Sequence, residues 1–127
     1  MRAVVLHEHG DIENLTYHTD YRDPECGEGQ VVIRVKATSL NYHDVFTTKG
    51  MPGIKVPLPI VIGLDISGEI AEVGKGVDGW SVGDRVLVNP LDPVTPEKGL
   101  MGEMLDGGTA ELCAVDATRL IRIPDGC

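Results

Sequence analysis

A glycine-rich run in this 127-residue sequence has the spacing of a loop that could bind phosphate groups. Gly74, Gly76 and Gly79 match the spacing G-x-G-x-x-G, which in dinucleotide-binding proteins lets the backbone approach a pyrophosphate. That site also needs a helix that begins at the loop, so that its N-terminus meets the phosphates. Residues 80–86 are instead typical of a turn followed by a strand. We therefore interpret the run as a hairpin connection without a nucleotide.

Histidines and cysteines, the common ligands of transition metals, are scattered along the chain. His7 and His9 lie two residues apart, a spacing that would place both on one face of a strand. Two imidazoles alone do not complete a tetrahedral site, and His18 and His43 lie elsewhere. The cysteines are Cys26, Cys113 and Cys127. They form no Cys-x-x-Cys pair, so we expect reduced thiols and predict no metal site.

Composition and charge narrow the class of protein. The 20 acidic and 11 basic residues give a formal net charge of -9, which repels a polyphosphate backbone. The apolar start, residues 1–6, is too short for a signal-peptide core, and prolines and glycines interrupt the most apolar later stretch, 56–66. We expect a cytoplasmic protein with no nucleic-acid or membrane partner. Homo-oligomer formation is left open.

Short segments rich in valine and isoleucine predict a mainly β domain. The clearest strand is 31–37, where Val31, Ile33, Val35 and Ala37 are predicted to face inward. Strands are predicted over 1–6, 31–37, 60–73, 85–89, 109–115 and 120–123. Because closure removes exposed strand edges, this pattern favours a small, partly open β-barrel with one or two short helices.

One segment, 41–49, has the signals of a helix. Asn41 can cap its first amide groups, Asp44 and Lys49 suit its first and last turns, and Gly50 can end it in a left-handed conformation.

Four blocks of sequence, in a fixed order, resemble the catalytic domain of the medium-chain dehydrogenases/reductases. Residues 57–77 with 82–86 resemble the signature of that domain, and 37–44, 106–111 and 123–126 fall in the family's order around it. The resemblance covers nearly the whole chain. It implies a GroES-like, partly open β-barrel whose cleft closes against a separate Rossmann domain.

The resemblance also implies what this chain contains. We expect residues 1–127 to be the substrate and catalytic domain, with the Rossmann nucleotide-binding domain absent from this chain and the fragment inactive by itself. The second domain normally follows a segment such as 123–126.

The resemblance locates the positions where relatives bind zinc. Zinc alcohol dehydrogenases carry a cysteine at the position of Asn41 and Gly-His-Glu where this chain has Gly63, Leu64 and Asp65. Leu64 has no donor atom, and an asparagine carbonyl is a poor zinc ligand. The lobe that binds structural zinc would fall within about 89–103, which contains no cysteine. No zinc is expected at either place.

An asparagine at position 41 beside an aromatic residue is similar to the zinc-independent, quinone oxidoreductase-like branch of the family. That branch implies hydride transfer from NADPH or NADH, bound with the help of the missing domain, to a small-molecule carbonyl, quinone or enone. We hypothesise that Asn41 orients the cofactor ribose or the substrate and that Tyr42 or His43 donates a hydrogen bond or proton. Asp44 and Asp65 would orient their neighbours. The candidate catalytic residues are Asn41, Tyr42, His43 and Asp65, and the candidate cofactor-binding residues are Asn41 and His43.

Simpler roles for these residues remain open: Asn41 as a helix cap, Tyr42 as a packing residue and His43 as a solvated helix residue. Two other functions also remain open. One is a stand-alone GroES-like binding module, as in co-chaperonin subunits, because fold alone does not decide function. The other is a zinc-type alcohol dehydrogenase with replaced ligands.

Overall fold

The structure is a computed structural model that describes residues 1–127. The strands are β1 (Ala3–Leu6), β2 (Leu15–His18), β3 (Gln30–Ser39), β4 (Ile60–Val61), β5 (Asp65–Val73), β6 (Arg85–Val88), β7 (Leu112–Asp116) and β8 (Leu120–Arg122). One α-helix, α1 (Tyr42–Lys49), lies between β3 and β4, and three short 3-10 turns cover Ile12–Asn14, Pro96–Lys98 and Ala117–Arg119. The predicted mainly β fold is confirmed.

Two antiparallel sheets make up the domain. A three-stranded sheet has the order β2-β1-β4, and a five-stranded sheet has the order β7-β3-β5-β6-β8. Neither closes into a complete barrel, in agreement with a partly open one. The largest buried cluster lies on the five-stranded sheet and includes Val31, Ile33, Ile70 and Val86, each at most 1% exposed. Burial of these side chains holds β3, β5 and β6 together.

The strict alternation predicted for β3 is wrong at both ends. Val32 is buried at 3% exposure, whereas Ala37 is exposed. The register between β3 and β5 shifts between Val32 and Ile33, and again between Val35 and Ala37. The second shift adds Lys36 to β3, so the side chains beyond it change face; the first adds Ala71 to β5 and leaves the alternation of β3 unchanged.

Other strand boundaries also differ from the prediction. The segment 60–73 forms two strands instead of one, because the chain turns at Gly63, whose φ is 108°. A side chain at that φ would be strained, so this turn favours glycine. Strand β2 was not predicted, and β7 begins at Leu112 instead of at position 109.

Helix α1 is confirmed at the predicted place. Asn41 is its N-cap residue, and Gly50 ends it with a φ of 91°. The Gly50 N–H donates a hydrogen bond of 2.9 Å to the Phe46 carbonyl. No helix in this structure has both the length and the apolar character that crossing a membrane requires.

The run 74–79 connects β5 to β6, which pair antiparallel. Strand β6 follows at Arg85 with no helix between. The interpretation of this run as a hairpin connection is therefore confirmed.

The segment 89–103 corresponds to the lobe that binds structural zinc in relatives. In this chain, two buried charged side chains fix its backbone in place. The Arg119 guanidinium, fully buried, donates to the carbonyls of Pro90 at 2.7 Å and Gly99 at 2.9 Å. The Asp92 carboxylate, also fully buried, accepts from the Val94 N–H at 2.9 Å and the Thr118 hydroxyl at 2.7 Å. Burial raises the pKa of Asp92, but these hydrogen bonds outweigh it and lower the pKa from 3.8 to about 2.

Candidate functional site

Three chain segments meet at the N-terminal end of α1: the first turn of the helix, the turn at Gly63, and the loop 101–108. Backbone hydrogen bonds join the last two, from Gly107 N to Val61 O at 2.7 Å and from Gly108 N to Gly63 O at 3.1 Å. A Cβ on Gly102 would lie 2.7 Å from Gly63 N, and one on Gly107 would lie 2.1 Å from Gly63 O. The two segments approach this closely because these positions lack side chains.

Asp44 joins the helix to the turn at Gly63. Its side chain is buried at 4% exposure, and Oδ1 accepts a hydrogen bond of 3.1 Å from Gly63 N. The other oxygen, Oδ2, accepts from the backbone N–H of Asn41 at 2.8 Å, in the manner of a capping box. Asp44 therefore fixes the position of Asn41 relative to the residues of the turn.

Asn41 and Asp65 lie in direct contact. Asn41 Nδ2 donates to Asp65 Oδ2 at 2.9 Å, and the Ser39 hydroxyl donates to the same oxygen at 2.6 Å. These two hydrogen bonds lower the pKa of Asp65 because they stabilise its charged form, and the one from Asn41 has the larger effect. A carboxylate that accepts from the amide N–H fixes how the amide group of Asn41 is turned.

His43 is paired with Glu103, a residue that the sequence analysis did not select. His43 Nε2 lies 2.5 Å from Glu103 Oε2, and the two side chains are 19% and 11% exposed. The simpler role of a solvated helix residue is therefore wrong for His43. A signal for Glu103 exists in the sequence, because it is an acidic residue between Met101 and Met104 in an otherwise apolar stretch.

Tyr42 does not pack into the core, so that simpler role is also wrong. Its side chain is 82% exposed, beside Leu40 at 77% and Phe46 at 54%. Large apolar side chains clustered in one exposed region are typical of a surface that meets another molecule or domain. The phenolic hydroxyl of Tyr42 is free to act as a hydrogen-bond donor or acceptor there.

A largely apolar groove of about 460 Å³ runs beside α1. Its walls include Ile12, Leu40 and Val45, and Asn41 lies among the lining residues. His43 and Glu103 are not among them. Of the four predicted site residues, Asn41 lines the groove, Tyr42 lies on the exposed face of the helix and His43 lies in the buried pair. Asp65 lines a separate pocket on the five-stranded sheet.

The donor atoms at this place do not suit zinc. Leu64 offers none, and Asn41 and Asp65 are hydrogen-bonded to each other. No three residues among the histidines, cysteines, aspartates and glutamates are arranged to hold a metal ion. Hydrogen bonds and a carboxylate are therefore the chemical means that this site offers.

The remaining histidines are arranged differently from the sequence expectation. His7 and His9 both lie beyond the end of β1 and do not share a strand face. His7 Nε2 instead lies 2.8 Å from His18 Nε2, and His9 Nδ1 lies 3.0 Å from the carbonyl of Thr47.

Residues 27–125 match the family described as "Alcohol dehydrogenase GroES-like domain". The chain belongs to this family. The resemblance to the medium-chain dehydrogenases/reductases is thereby confirmed, and the GroES-like fold agrees with the two sheets and single helix.

Individual relatives of this GroES-like domain are oxidoreductases by name. The chain is 32% identical to an acryloyl-coenzyme A reductase of Metallosphaera sedula, over 98% of this chain and 40% of the relative. It is 34% identical to the chloroplastic NADPH-dependent alkenal/one oxidoreductase of Arabidopsis thaliana, over 98% of this chain and 31% of the relative. The solved structure of an NAD-dependent alcohol dehydrogenase superposes with a TM-score of 0.88 and 36% identity, covering 100% of this chain and 40% of that one. The GroES-like domain thus spans well under half the length of these relatives.

Proposed function

We propose that this chain is the substrate-facing domain of an NAD(P)H-dependent oxidoreductase that reduces a small carbonyl, quinone or enone without zinc. The observation that carries the proposal is the hydrogen bond of 2.9 Å between Asn41 and Asp65. It occupies the place where zinc enzymes of the family carry metal ligands, and the neighbouring Leu64 has no donor atom. The match of residues 27–125 to the family supports the reaction class.

The cofactor, held mainly by a second domain, supplies a hydride when it is bound. The substrate receives the hydride, and this chain's part is to hold and orient that substrate. Asn41 and Tyr42 are both exposed at the start of α1, where the second domain would close over them. Asn41, fixed by Asp65, would hold a cofactor hydroxyl or the substrate, and His43 lies one residue beyond Tyr42 on the same turn.

Reduction places negative charge on the substrate oxygen. Without a metal ion, hydrogen-bond donors must stabilise that charge. A proton must then reach the oxygen or, in the case of an enone, the carbon next to the carbonyl group. Tyr42 has an accessible hydroxyl, and His43 carries its ring proton in a partly buried pair. We assign both the hydrogen bond and the proton to Tyr42, because the His43 ring is bonded to Glu103 through Nε2 and its Nδ1 is buried.

The substrate class that we favour is a conjugated carbonyl compound. Two of the relatives are named for such substrates, an acryloyl thioester and an alkenal or alkenone. The largely apolar groove of about 460 Å³ beside Asn41 suits the unsaturated carbonyl end of such a molecule.

The test uses the longer protein in which this chain is followed by a dinucleotide-binding domain. We expect the coding sequence beyond Cys127 to provide a strand, a glycine-rich loop and a helix within about a hundred residues, the size of an ordinary domain. NADPH oxidation is followed with an enone, a quinone and a simple aldehyde. Asn41→Ala and Tyr42→Phe should each slow the reaction with the preferred substrate.

A matched control is Tyr17→Phe, which removes a hydroxyl from an exposed tyrosine on β2, away from the site. Its rate should equal that of the unmodified protein. Unchanged rates in both site variants would remove Asn41 and Tyr42 from the mechanism. A coding sequence that stops at Cys127, with no reductase activity, would favour the binding module instead.

A further inference from the structure

One wall of the groove beside α1 is formed by the loop that carries the turn Ile12–Asn14, and this loop is bonded to the helix. The Gly10 N–H donates to the Thr48 carbonyl at 2.9 Å, and His9 Nδ1 lies 3.0 Å from the Thr47 carbonyl. Because a carbonyl can only accept, the His9 ring donates from Nδ1. The loop is therefore attached at two places to the last turn of α1.

Asn14 holds the same loop in its shape. Its Nδ2 donates to the carbonyls of Glu8 at 3.3 Å and His9 at 3.0 Å. A Cβ on Gly10 would lie 2.4 Å from this Nδ2, so the side chain packs closely on the backbone. These contacts fix the residues between them, 11–13, at the edge of the groove.

Two carboxylates without a cationic partner lie at this edge. Asp11 and Glu13 flank Ile12 in the sequence, line the groove and are exposed. The Asp11 side chain does not cap the turn that it begins. Neither carboxylate forms an ion pair within the chain. Their negative charge therefore acts on any molecule that enters the groove.

The other charged residues of the groove do not cancel this charge. Lys49 is the only cationic residue in the lining, and Asp44 adds a third acidic residue. With three acidic residues and one basic residue, the lining has a formal net charge of -2. The whole chain has a formal net charge of -9, so an anion is repelled at the groove and on the way to it.

The apolar part of the groove favours a different kind of molecule. The side chains of Ile12 and Leu40 are 73% and 77% exposed, and an uncharged organic molecule is stabilised when it covers them. A carboxylate or phosphate in the same place would lose hydrating water and lie near like charges.

We propose that Asp11 and Glu13 make the groove selective for conjugated aldehydes and ketones that carry no carboxylate or phosphate close to the enone. This selectivity rests on the function proposed above, in which the enone occupies the groove. The two carboxylates act on substrate binding and take no part in the transfer of hydride or proton.

The test compares two substrates of the longer, two-domain protein, 6-oxohept-4-enoate and its methyl ester. Two methylene groups separate the carboxylate from the alkene, so the two enones have similar intrinsic reactivity. At low salt we expect kcat/KM for the ester to exceed that for the acid about 5-fold, mainly through KM. Coulomb's law gives an effect of this order for like charges about 7 Å apart at an exposed site. In about 1 M salt the ratio should approach one, because charges are then screened within about 3 Å.

The double variant Asp11→Asn, Glu13→Gln removes both charges with little change in volume. Its ratio of ester to acid should be close to one at low salt. The matched control is Asp20→Asn, Glu25→Gln, which changes the net charge equally at exposed residues outside the groove. This control should keep the ratio of the unmodified protein.

The possible results separate the selectivity from the function on which it rests. A ratio near one in the unmodified protein, or a ratio that is the same in the groove variant, would overturn the selectivity and leave the reductase function standing. An equal loss of the ratio in the control would assign the effect to the net charge of the chain and would also overturn it. Absence of NADPH oxidation with both compounds would overturn the proposed reduction of enones, and the selectivity with it.

Discussion

The contact between the Gly63 turn and the loop 101–108 predicts a large loss of stability on replacement of Gly102 by alanine. The new Cβ would lie 2.7 Å from the backbone nitrogen of Gly63 and 2.8 Å from its carbonyl oxygen. Both atoms belong to the backbone, so neither can move aside as a side-chain end does. The φ of 71° at Gly102 adds conformational strain.

The magnitude follows from these two terms. A left-handed conformation costs a residue with a side chain about 1 to 2 kcal/mol. Crowding of a well-packed region costs about 1 to 3 kcal/mol more. Together, Gly102→Ala should lower the free energy of unfolding by about 2 to 5 kcal/mol, a large share of the roughly 5 to 15 kcal/mol that is usual for a domain.

Gly53→Ala is the matched control for the contact term. Gly53 has a similar φ, 80°, but a Cβ there would meet no atom within 4 Å. This variant should lose only the conformational term, about 1 to 2 kcal/mol. Both variants also restrict the unfolded chain equally, so that effect cancels in the comparison.

The assay is urea unfolding followed by circular dichroism, which gives the free energy of unfolding for each protein. Because the close approach of the two segments involves Gly102 and not Gly53, the free energy of unfolding should fall more in Gly102→Ala than in Gly53→Ala. Equal losses, or a smaller loss at Gly102, would refute it.

Three further predictions concern other parts of the domain. Arg119→Met should lower the free energy of unfolding by about 3 kcal/mol, because two carbonyls lose a charged donor; urea unfolding measures it. The pKa of Asp92 is about 2 in the folded chain, against an ordinary 3.8. The carboxylate therefore adds about 2 kcal/mol to the free energy of unfolding above pH 4, and this contribution is lost as the pH falls toward 2. In Asp92→Asn, the free energy of unfolding should therefore fall less between about pH 4 and pH 2 than it does in the unmodified chain. An equal fall in both proteins would contradict the assignment. Burial raises the pKa of Cys113 to about 12, so maleimide labelling followed by mass spectrometry should modify exposed Cys127 first and Cys113 only after unfolding.

The parts of the fold that local signals determine could be predicted from the sequence. Helix α1 has its start and stop residues within ten positions, Asn41 and Gly50, and both act as expected. The hairpin at 74–79 was likewise evident, because the residues after it do not favour a helix. Strand β2 was missed because it is four residues long and half exposed, with no long apolar run to mark it.

The parts of the site that depend on tertiary contacts could not be predicted. Glu103 is selected only when the loop that carries it packs on Gly63, and that packing depends on glycines at 102 and 107 whose partners the sequence does not name. The pairing of Asn41 with Asp65 also required the structure, since 24 residues separate them. The cytoplasmic location and the substrate stay predictions.

Metal analysis combined with an activity assay shows whether the proposed reduction needs zinc. The longer, two-domain protein proposed above is purified without chelator, analysed for bound metal, and assayed for NADPH-dependent reduction of an enone before and after dialysis against a strong chelator. The hydrogen-bonded arrangement of Asn41 and Asp65 predicts less than stoichiometric zinc and an unchanged rate after dialysis. One zinc ion per chain, with activity lost on dialysis and restored by added zinc, would contradict it.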